Sequence, residues 1–244
     1  MVFLATLAVT AVLACLLRNP IKNHPSGLYA VAFALDVLLL ASSLSMTPAW
    51  LTGLAVLLVR RGAIAVALFV VVMYVGVFPR SSRPALWLRP IRGELSIAAC
   101  ILIAGHMCSY LVFYGMNLMR GVMPALPMAI GLIVGIALLV LLAVLGATSL
   151  RAVKRRMTPS RWKRVQLLAY PFYAFIYVHA ALMLGPSAFS GSAPAIQGLA
   201  AYTAVFLLYL VLRLCRARLD RQPLGDVADG GDGSASAEAG TANE

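Results

Sequence analysis

The chain has 244 residues, of which 62% are hydrophobic and only 11% are charged. A soluble domain is about half apolar and about a quarter charged, so this composition excludes a soluble fold and requires lipid as the main solvent. The formal net charge of +12 does not predict nucleic-acid binding, because the basic residues stand in short clusters between apolar runs, as in the loops of membrane proteins.

The apolar runs predict an all-α, polytopic membrane helix bundle, since a spanning helix needs about 20 mostly apolar residues. The first run, residues 2–17, has the character of a signal-peptide core, but no charged segment precedes it. An additional N-terminal helix is therefore the favoured interpretation. The runs that predict a six-helix core are 29–46, 63–78, 95–118, 124–149, 167–184 and 199–212.

The lysines and arginines predict the orientation of the bundle. They form three clusters, and two spans separate each cluster from the next, so all three lie on the side that the positive-inside rule assigns to the cytoplasm. The C-terminus is then cytoplasmic, and the loops near Arg120 and at 185–198 are outside. The clusters are Arg80, Arg83, Arg89 and Arg92; Arg151, Lys154, Arg155, Arg156, Arg161, Lys163 and Arg164; and Arg213, Arg216, Arg218 and Arg221.

Two segments lie apart from these spans. Residues 47–61 are apolar but short, and this topology places Arg60 and Arg61 outside. The segment either lies along the outer interface or extends the next helix, with both arginines snorkelling. Residues 220–244 are predicted to be a disordered acidic tail, more simply a solvated end than an interaction segment. The domains are thus 1–27, an N-terminal helix and cytoplasmic loop; 28–219, the transmembrane domain; and 220–244, the tail.

Two histidines within the spans are the main functional candidates, because ionisable groups inside a membrane are costly. His106 is 12 residues past Glu94 and His179 is 15 past Arg164, which gives depths of about 18 and 22 Å, slightly beyond the midplane toward the outside. Two imidazoles at matched depth could ligate one metal, and imidazole suits iron, copper and zinc alike. The alternative, in which each histidine only hydrogen-bonds a neighbouring helix, fits the residues equally well.

Two stretches of the chain resemble the ferric reductase-like transmembrane family. Residues 92–110 resemble the start of its haem-carrying third helix. More specific are Thr148-Ser149, a basic loop, and Trp162-Lys-Arg-Val-Gln-Leu-Leu-Ala-Tyr170 followed by His179. They are similar to the family pattern of Thr-Ser, Trp-x-x-Leu-His-x-x-x-Tyr and a second histidine 13 residues on. The resemblance covers residues 28–213 and is similar in style to the haem-binding membrane subunit of the bacterial periplasmic methionine sulfoxide reductase system.

This resemblance implies that His106 and His179 occupy haem-ligand positions on the third and fifth core helices. Gln166 stands where the family has its inner histidine, and glutamine is a poor haem ligand. The resemblance therefore implies one haem b with two histidine ligands, in the outer half of the membrane.

The region after the helices is short, and it carries no GxGxxG or comparable phosphate loop. Relatives that oxidise NADPH have a flavin and nucleotide domain there. The resemblance therefore implies an electron-transfer subunit of an oxidoreductase system. Such a subunit takes electrons from a quinol or a partner's flavin on the cytoplasmic side. It passes them to an extracytoplasmic redox protein or metal ion.

Several further residues allow two interpretations. Trp162, Lys163 and Arg164 could dock a donor, but interfacial anchoring is the favoured interpretation. Pro171 is expected to bend its helix, and Asp36 to pair with a basic group or hydrogen-bond within the bundle. The aromatic residues before His179 either line a haem or pack; they are Tyr170, Phe172, Tyr173, Phe175 and Tyr177. The cysteines, expected to be packing residues without disulfides, are Cys15, Cys100, Cys108 and Cys215.

Two non-redox functions remain as alternatives. A small-solute permease would need a polar path, and inverted repeats are common in transporters, but the sequence shows no internal repeat and few polar groups within the spans. A non-redox membrane scaffold is the other alternative, in which Gln166 marks a lost redox function.

Overall fold

The computed structural model describes residues 2–43, 48–79, 81–149 and 151–219. All regular secondary structure in these residues is helical and no strand occurs among them, which confirms the all-α prediction. Five helical stretches are long and apolar enough to cross a membrane: Pro25–Ser42, Arg83–Met119, Leu126–Ser149, Pro159–Phe189 and Ala193–Leu219. Two apolar helices are shorter, Val2–Leu16 and Ala63–Val75. The chain is therefore a multi-pass membrane protein.

Every apolar run of the sequence contains one principal helix. A π-helical turn, Val56–Arg60, follows the fourth helix, and a 3-10 turn, Arg89–Ile91, precedes the seventh. The helices are α1 (Val2–Leu16), α2 (Arg18–Asn23), α3 (Pro25–Ser43), α4 (Ala49–Ala55), α5 (Ala63–Val75), α6 (Arg83–Leu88), α7 (Arg92–Met119), α8 (Leu126–Ser149), α9 (Arg151–Lys154), α10 (Pro159–Gln166), α11 (Ala169–Phe189) and α12 (Ala193–Leu219).

The short helix α5 lies at the centre of the bundle. Nearly all of its side chains are buried, as expected of a helix that is apolar around its whole circumference. It packs against α1 and α7, while α7 also packs against α3, and α11 packs against α8 and α12. The ring of Phe3 stacks on Tyr202 with centroids 4.0 Å apart, so α1 is packed against the core and lies beside α12.

Residues 49–60 do not continue into α5. Gly62 adopts a left-handed conformation with φ of 66°, and this conformation ends the π-helical turn before α5 begins. The turn packs against α7, while α4 packs against α3 and leaves Trp50 largely exposed. Of the two predicted arrangements, the straight extension of the following helix is therefore wrong.

The helix that carries His179 also begins later than the sequence suggested. The chain turns between α10 and α11, at Leu167 and Leu168, which are four and three residues before Pro171. Pro171 is the third residue of α11, in the first turn, where an amide proton has no intrahelical acceptor and its loss costs little. Pro171 cannot donate to the carbonyl of Leu167, four residues before it, so the interruption at Leu167 agrees with the predicted bend at the start of this helix.

The aromatic residues before His179 serve mainly to pack the helices. Tyr173 stacks on Phe206 of α12 with centroids 4.3 Å apart, and Phe172 meets the ring of Phe69 edge-on at 5.0 Å. Phe175 is exposed. Phe172 and Tyr173, the two buried members of this group, therefore pack between helices.

The cysteines differ from one another in environment. Cys100 is half-buried within α7, but Cys15, Cys108 and Cys215 are exposed and all four are free. Only Cys100 therefore has the packing role that the sequence assigned to all four, since an exposed thiol on an apolar helix faces the lipid region.

Basic residues from separate clusters meet at one end of the bundle. Arg89 and Arg92 line the same cavity as Arg213 and Arg216, and an Arg213 Nη2–H donates to the hydroxyl of Tyr170 at 2.6 Å. This end therefore contains the starts of α7 and α11 and the last turns of α12, as the topology predicted. The predicted acidic tail, 220–244, lies outside the described residues.

Candidate functional site

His106 is held by a backbone carbonyl from another part of the chain. It lies at the midpoint of α7, half-buried, and its Nδ1–H donates to the carbonyl oxygen of Arg60 at 2.7 Å. A carbonyl can only accept, so the ring carries its proton on Nδ1, and the neutral imidazole then has its lone pair on Nε2. That lone pair is available to a ligand.

The carbonyl of Arg60 is available because the helix ends there. The last carbonyls of a helix lack intrahelical partners, and Gly62 prevents the π-helical turn from continuing into α5. Gly62 also makes room for the ring, because a Cβ at this position would lie 3.4 Å from Nδ1 of His106. π-Helical turns are frequent at functional sites. One glycine thus supplies both the acceptor and the space for His106.

His179 is held in the same way by a different structure. It lies at the midpoint of α11, half-buried, and its Nδ1–H donates to the carbonyl oxygen of Gly131 at 2.9 Å. Gly135 lies one turn further along α8, where a Cβ would stand 3.4 Å from Cε1 of His179. The Gly-x-x-x-Gly spacing lets two helices approach closely. The proton of His179 is therefore also on Nδ1, which leaves Nε2 unprotonated.

The two histidines occupy comparable positions on their helices. The sequence counted the depth of His179 from Arg164, but α11 begins only at Ala169. Measured on the observed helices, each histidine lies at a helix midpoint and not beyond it. The matched depth of the two residues in the membrane stays a prediction.

Asp36 lies beside the His106 helix, where its carboxyl group interacts with the backbone of Gly105. Its side chain is 7% exposed, and its carboxylate packs directly against Gly105, the residue before His106. Its Oδ1 atom has no hydrogen-bond partner within the described part of the chain. A buried carboxylate of this kind is costly, and a residue larger than glycine at position 105 would collide with it.

Gln166 has a structural role at the end of α10. An Nε2–H of Gln166 donates to Oγ1 of Thr148 at 3.3 Å, and Nε1–H of Trp162 donates to the Thr148 carbonyl at 3.2 Å. Lys154 adds a cation–π contact at 4.4 Å from the Trp162 ring. Thr148, Trp162 and Gln166 therefore fasten α10 to the end of α8. This supports the interpretation of Gln166 as a helix-end polar residue.

The sequence identified the two histidines but not their partners. Arg60, Gly62 and Gly131 lie far from the histidines in the chain, and only the Gly-x-x-x-Gly spacing on α8 was visible as a pattern. Among the residues that the structure describes, no three histidine, cysteine, aspartate or glutamate side chains converge as a metal-binding group. The role of His106 and His179 as ligands therefore stays a prediction at this point.

Comparison with known proteins confirms the family resemblance. Residues 61–177 match the family described as ferric reductase like transmembrane component, a range that includes His106 and Gln166 and ends just before His179. An uncharacterized protein of Treponema pallidum (strain Nichols) is 31% identical over 220 residues, which are 88% of this chain and 60% of that protein. The chain thus spans about 60% of the length of this relative. No solved structure gives a match.

Proposed function

We propose that the chain is a membrane electron-transfer subunit that binds one haem b, with Nε2 of His106 and Nε2 of His179 as the axial ligands. The region similar to the ferric reductase like transmembrane component supports the general class. The haem, its ligands and the electron partners are the proposed part. The narrower likeness to the membrane subunit of the methionine sulfoxide reductase system stays a prediction.

The observation that carries the proposal is the common anchoring of the two histidines. Each donates Nδ1–H to a backbone carbonyl, Arg60 for His106 and Gly131 for His179. Such a second bond fixes the tautomer and the ring orientation of a metal-ligating histidine and raises the basicity of the other nitrogen. Two neutral imidazoles with free Nε2 atoms are the donor set that a haem iron takes.

The number of protein ligands distinguishes haem from other metals. A structural zinc site takes four protein ligands and a catalytic zinc site three, but the described residues offer two histidines without a third converging group. Two histidine ligands would suffice for a haem, because the porphyrin supplies four nitrogens of its own. When bound, the haem supplies a one-electron redox centre, while the chain orients the rings and keeps water away.

The arginine-rich end of the bundle supports a proposed orientation of the chain in the membrane. By the positive-inside rule, the end with Arg92 and Arg213 faces the cytoplasm, which makes the C-terminus cytoplasmic. Electrons then enter from a quinol or a partner's flavin on that side and leave to an extracytoplasmic redox protein or metal ion. Gln166 hydrogen-bonds Thr148 and is not proposed as a ligand of a second haem at the inner level.

The absorbance spectrum of the purified protein tests this proposal. We expect the oxidised and dithionite-reduced wild type to give the sharp bands of a bis-histidine b-type cytochrome. His106→Ala and His179→Ala should each remove most of the haem absorbance, because an open axial position weakens binding and changes the spin state. The protein must be expressed with added haem precursor so that supply does not limit the result.

His24→Ala is the matched control. This third histidine is exposed between α2 and α3, so its loss should leave the spectrum unchanged. A wild-type protein that purifies colourless despite adequate haem would contradict the proposal. An equal loss of absorbance in all three alanine variants would do the same.

Two other functions have less support. A small-solute permease needs a polar lumen, but the buried polar side chains of the described residues are Thr10, Asp36 and Ser42, too few to line a path through the bundle. A non-redox scaffold would also hydrogen-bond each half-buried imidazole to a neighbouring carbonyl, so what favours the haem protein over it is the family match. The spectrum separates both alternatives from the haem protein.

A further inference from the structure

Methionines are concentrated at the end of the bundle opposite the arginine-rich end. Four of the ten methionines of the chain lie between positions 116 and 128, at the end of α7, in the loop that follows and at the start of α8. Three of these side chains are well exposed: Met119 at 83%, Met123 at 75% and Met116 at 44%. Since methionine more often fills gaps in a core, this exposed group calls for another explanation.

The length of α7 places these side chains beyond the lipid core. The helix has 28 residues and is therefore about 42 Å long, whereas the hydrocarbon core of a bilayer is about 30 Å thick. A usual tilt of about 20° absorbs only a small part of this excess. Because Arg92 lies at the arginine-rich end, the last turns of α7 reach the opposite interface, where water and dissolved ions have access. Contact with lipid tails thus does not account for Met116 and Met119.

A tight turn keeps the third methionine close to the other two. Met116 and Met119 are three residues apart on α7 and therefore lie on one face of the helix. The chain then turns at Gly121, which has φ of 74°. The amides of Gly121 and Val122 donate to carbonyls three and five residues earlier, at 3.0 and 2.9 Å. This pair of bonds is the Schellman ending of a helix, and it fixes Val122 against the last turn of α7, directly before Met123.

The side chains of this segment offer only soft ligands to a metal ion. Between positions 109 and 135 the sequence contains no aspartate, glutamate, histidine or cysteine, and its one charged residue is Arg120. Thioethers are neutral, soft donors that select Cu(I), whereas magnesium, calcium and manganese prefer oxygen ligands and zinc prefers imidazole or thiolate. The charge of Arg120 also repels a divalent cation more strongly than a monovalent one. Ligand type and charge therefore both favour Cu(I).

From this arrangement we infer that Met116, Met119 and Met123 form a binding site for Cu(I), with their three Sγ atoms as the ligands. Each side chain has three rotatable bonds, so the thioethers can adjust to one ion without a change in the backbone. Because the Schellman turn already fixes the backbone, binding has to order only the side chains. The site does not depend on haem binding, and its failure would leave the proposed function untouched.

Anaerobic titration of the full-length protein with Cu(I), in detergent and in competition with the chelator bicinchoninate, tests the inference. We expect the wild type to withdraw Cu(I) from the chelator. Met119→Leu/Met123→Leu should weaken the affinity by about tenfold or more, since even the outer partners of a metal ligand are worth about 10- to 100-fold in affinity. Leucine keeps the size and the apolar character of methionine, so this variant should fold as the wild type does.

The matched control is Met73→Leu/Met157→Leu, which removes two thioethers from a buried position in α5 and from the loop between α9 and α10. It should bind Cu(I) as the wild type does. Cys108→Ser is a second control, because it removes an exposed thiol from α7. Unchanged affinity in the variant at positions 119 and 123 would overturn the site. A loss in Cys108→Ser as large as in that variant would do so too, since the thiol would then be the main ligand.

The methyl groups of the methionines give a second, residue-specific measurement. In protein labelled with ¹³C at these methyl groups, Ag(I) serves as an air-stable, soft monovalent probe. We expect Ag(I) to shift the signals of Met116, Met119 and Met123 and to leave that of Met73 in place. Unshifted signals from the three exposed methionines, or equal shifts throughout the chain, would contradict the inference.

Discussion

His106 and His179 make the same hydrogen bond to different kinds of carbonyl. The acceptor for His106 is at a helix end, freed by the left-handed Gly62. The acceptor for His179 is inside α8, exposed by Gly131 and Gly135 on one face of the helix. The first anchor therefore depends on backbone conformation, while the second depends mainly on side-chain volume, so the two should respond differently to the same substitution.

The largest effect is expected on the His106 side, at Gly105. A Cβ there would overlap the carboxylate of Asp36, and overpacking of a close interface costs about 1–3 kcal/mol. Gly105→Ala should therefore lower the free energy of unfolding by about 2 kcal/mol. Thermal unfolding in detergent, followed by tryptophan fluorescence, measures the change.

Two variants show whether the clash is the cause. Asp36→Ala combined with Gly105→Ala should recover most of the lost stability, because the colliding carboxylate is gone. Gly115→Ala lies on the same helix with nothing within 4 Å of the added methyl group and should not destabilise. No recovery in the double variant would mean that Asp36 does not pack where the structure has it.

A smaller effect separates the two anchors directly. Gly62→Ala should cost about 1–2 kcal/mol for the left-handed conformation and lower haem occupancy, because a strained turn would shift the Arg60 carbonyl that holds His106. Gly135→Ala places a methyl group equally close to His179 but has an ordinary helical backbone. Replacing this glycine by alanine stabilises the helix by about 1 kcal/mol, which offsets the cost of the new contact with His179.

Gly121→Ala is the control for backbone strain. Gly121 has φ of 74° with nothing within 4 Å of the added atom, so it should lose stability as Gly62→Ala does while keeping its haem absorbance. If Gly62→Ala and Gly135→Ala were equally harmful to absorbance and stability, the difference between the two anchors would be refuted.

The smallest effect is expected at Gln166. Gln166→Leu removes one hydrogen bond to Thr148, worth about 0.5–1.5 kcal/mol, and should leave the haem spectrum unchanged. Stability and absorbance are measured on the same sample. A shifted or diminished spectrum would assign Gln166 a part in electron transfer and would reopen the question of a second haem.

The sequence alone determined the composition of the bundle. Long apolar runs predict helices, because a backbone in lipid must satisfy its hydrogen bonds within the segment. All seven runs contain a principal helix, and rarity of polar groups in the spans was enough to single out His106, His179 and Asp36. The spacing of the basic clusters also predicted that Arg92 and Arg213 would meet at one end.

Only the tertiary structure decided what the histidines contact. The partners of His106 and His179 lie 46 and 48 residues away in the chain, and helices that are apolar on every face carry no hydrophobic stripe to say which neighbour they meet. The left-handed conformation of Gly62 was likewise not predicted, because it interrupts an otherwise apolar, helical sequence. In lipid, helix formation is a local property, whereas helix pairing depends on close packing at a few small residues, such as Gly131 and Gly135.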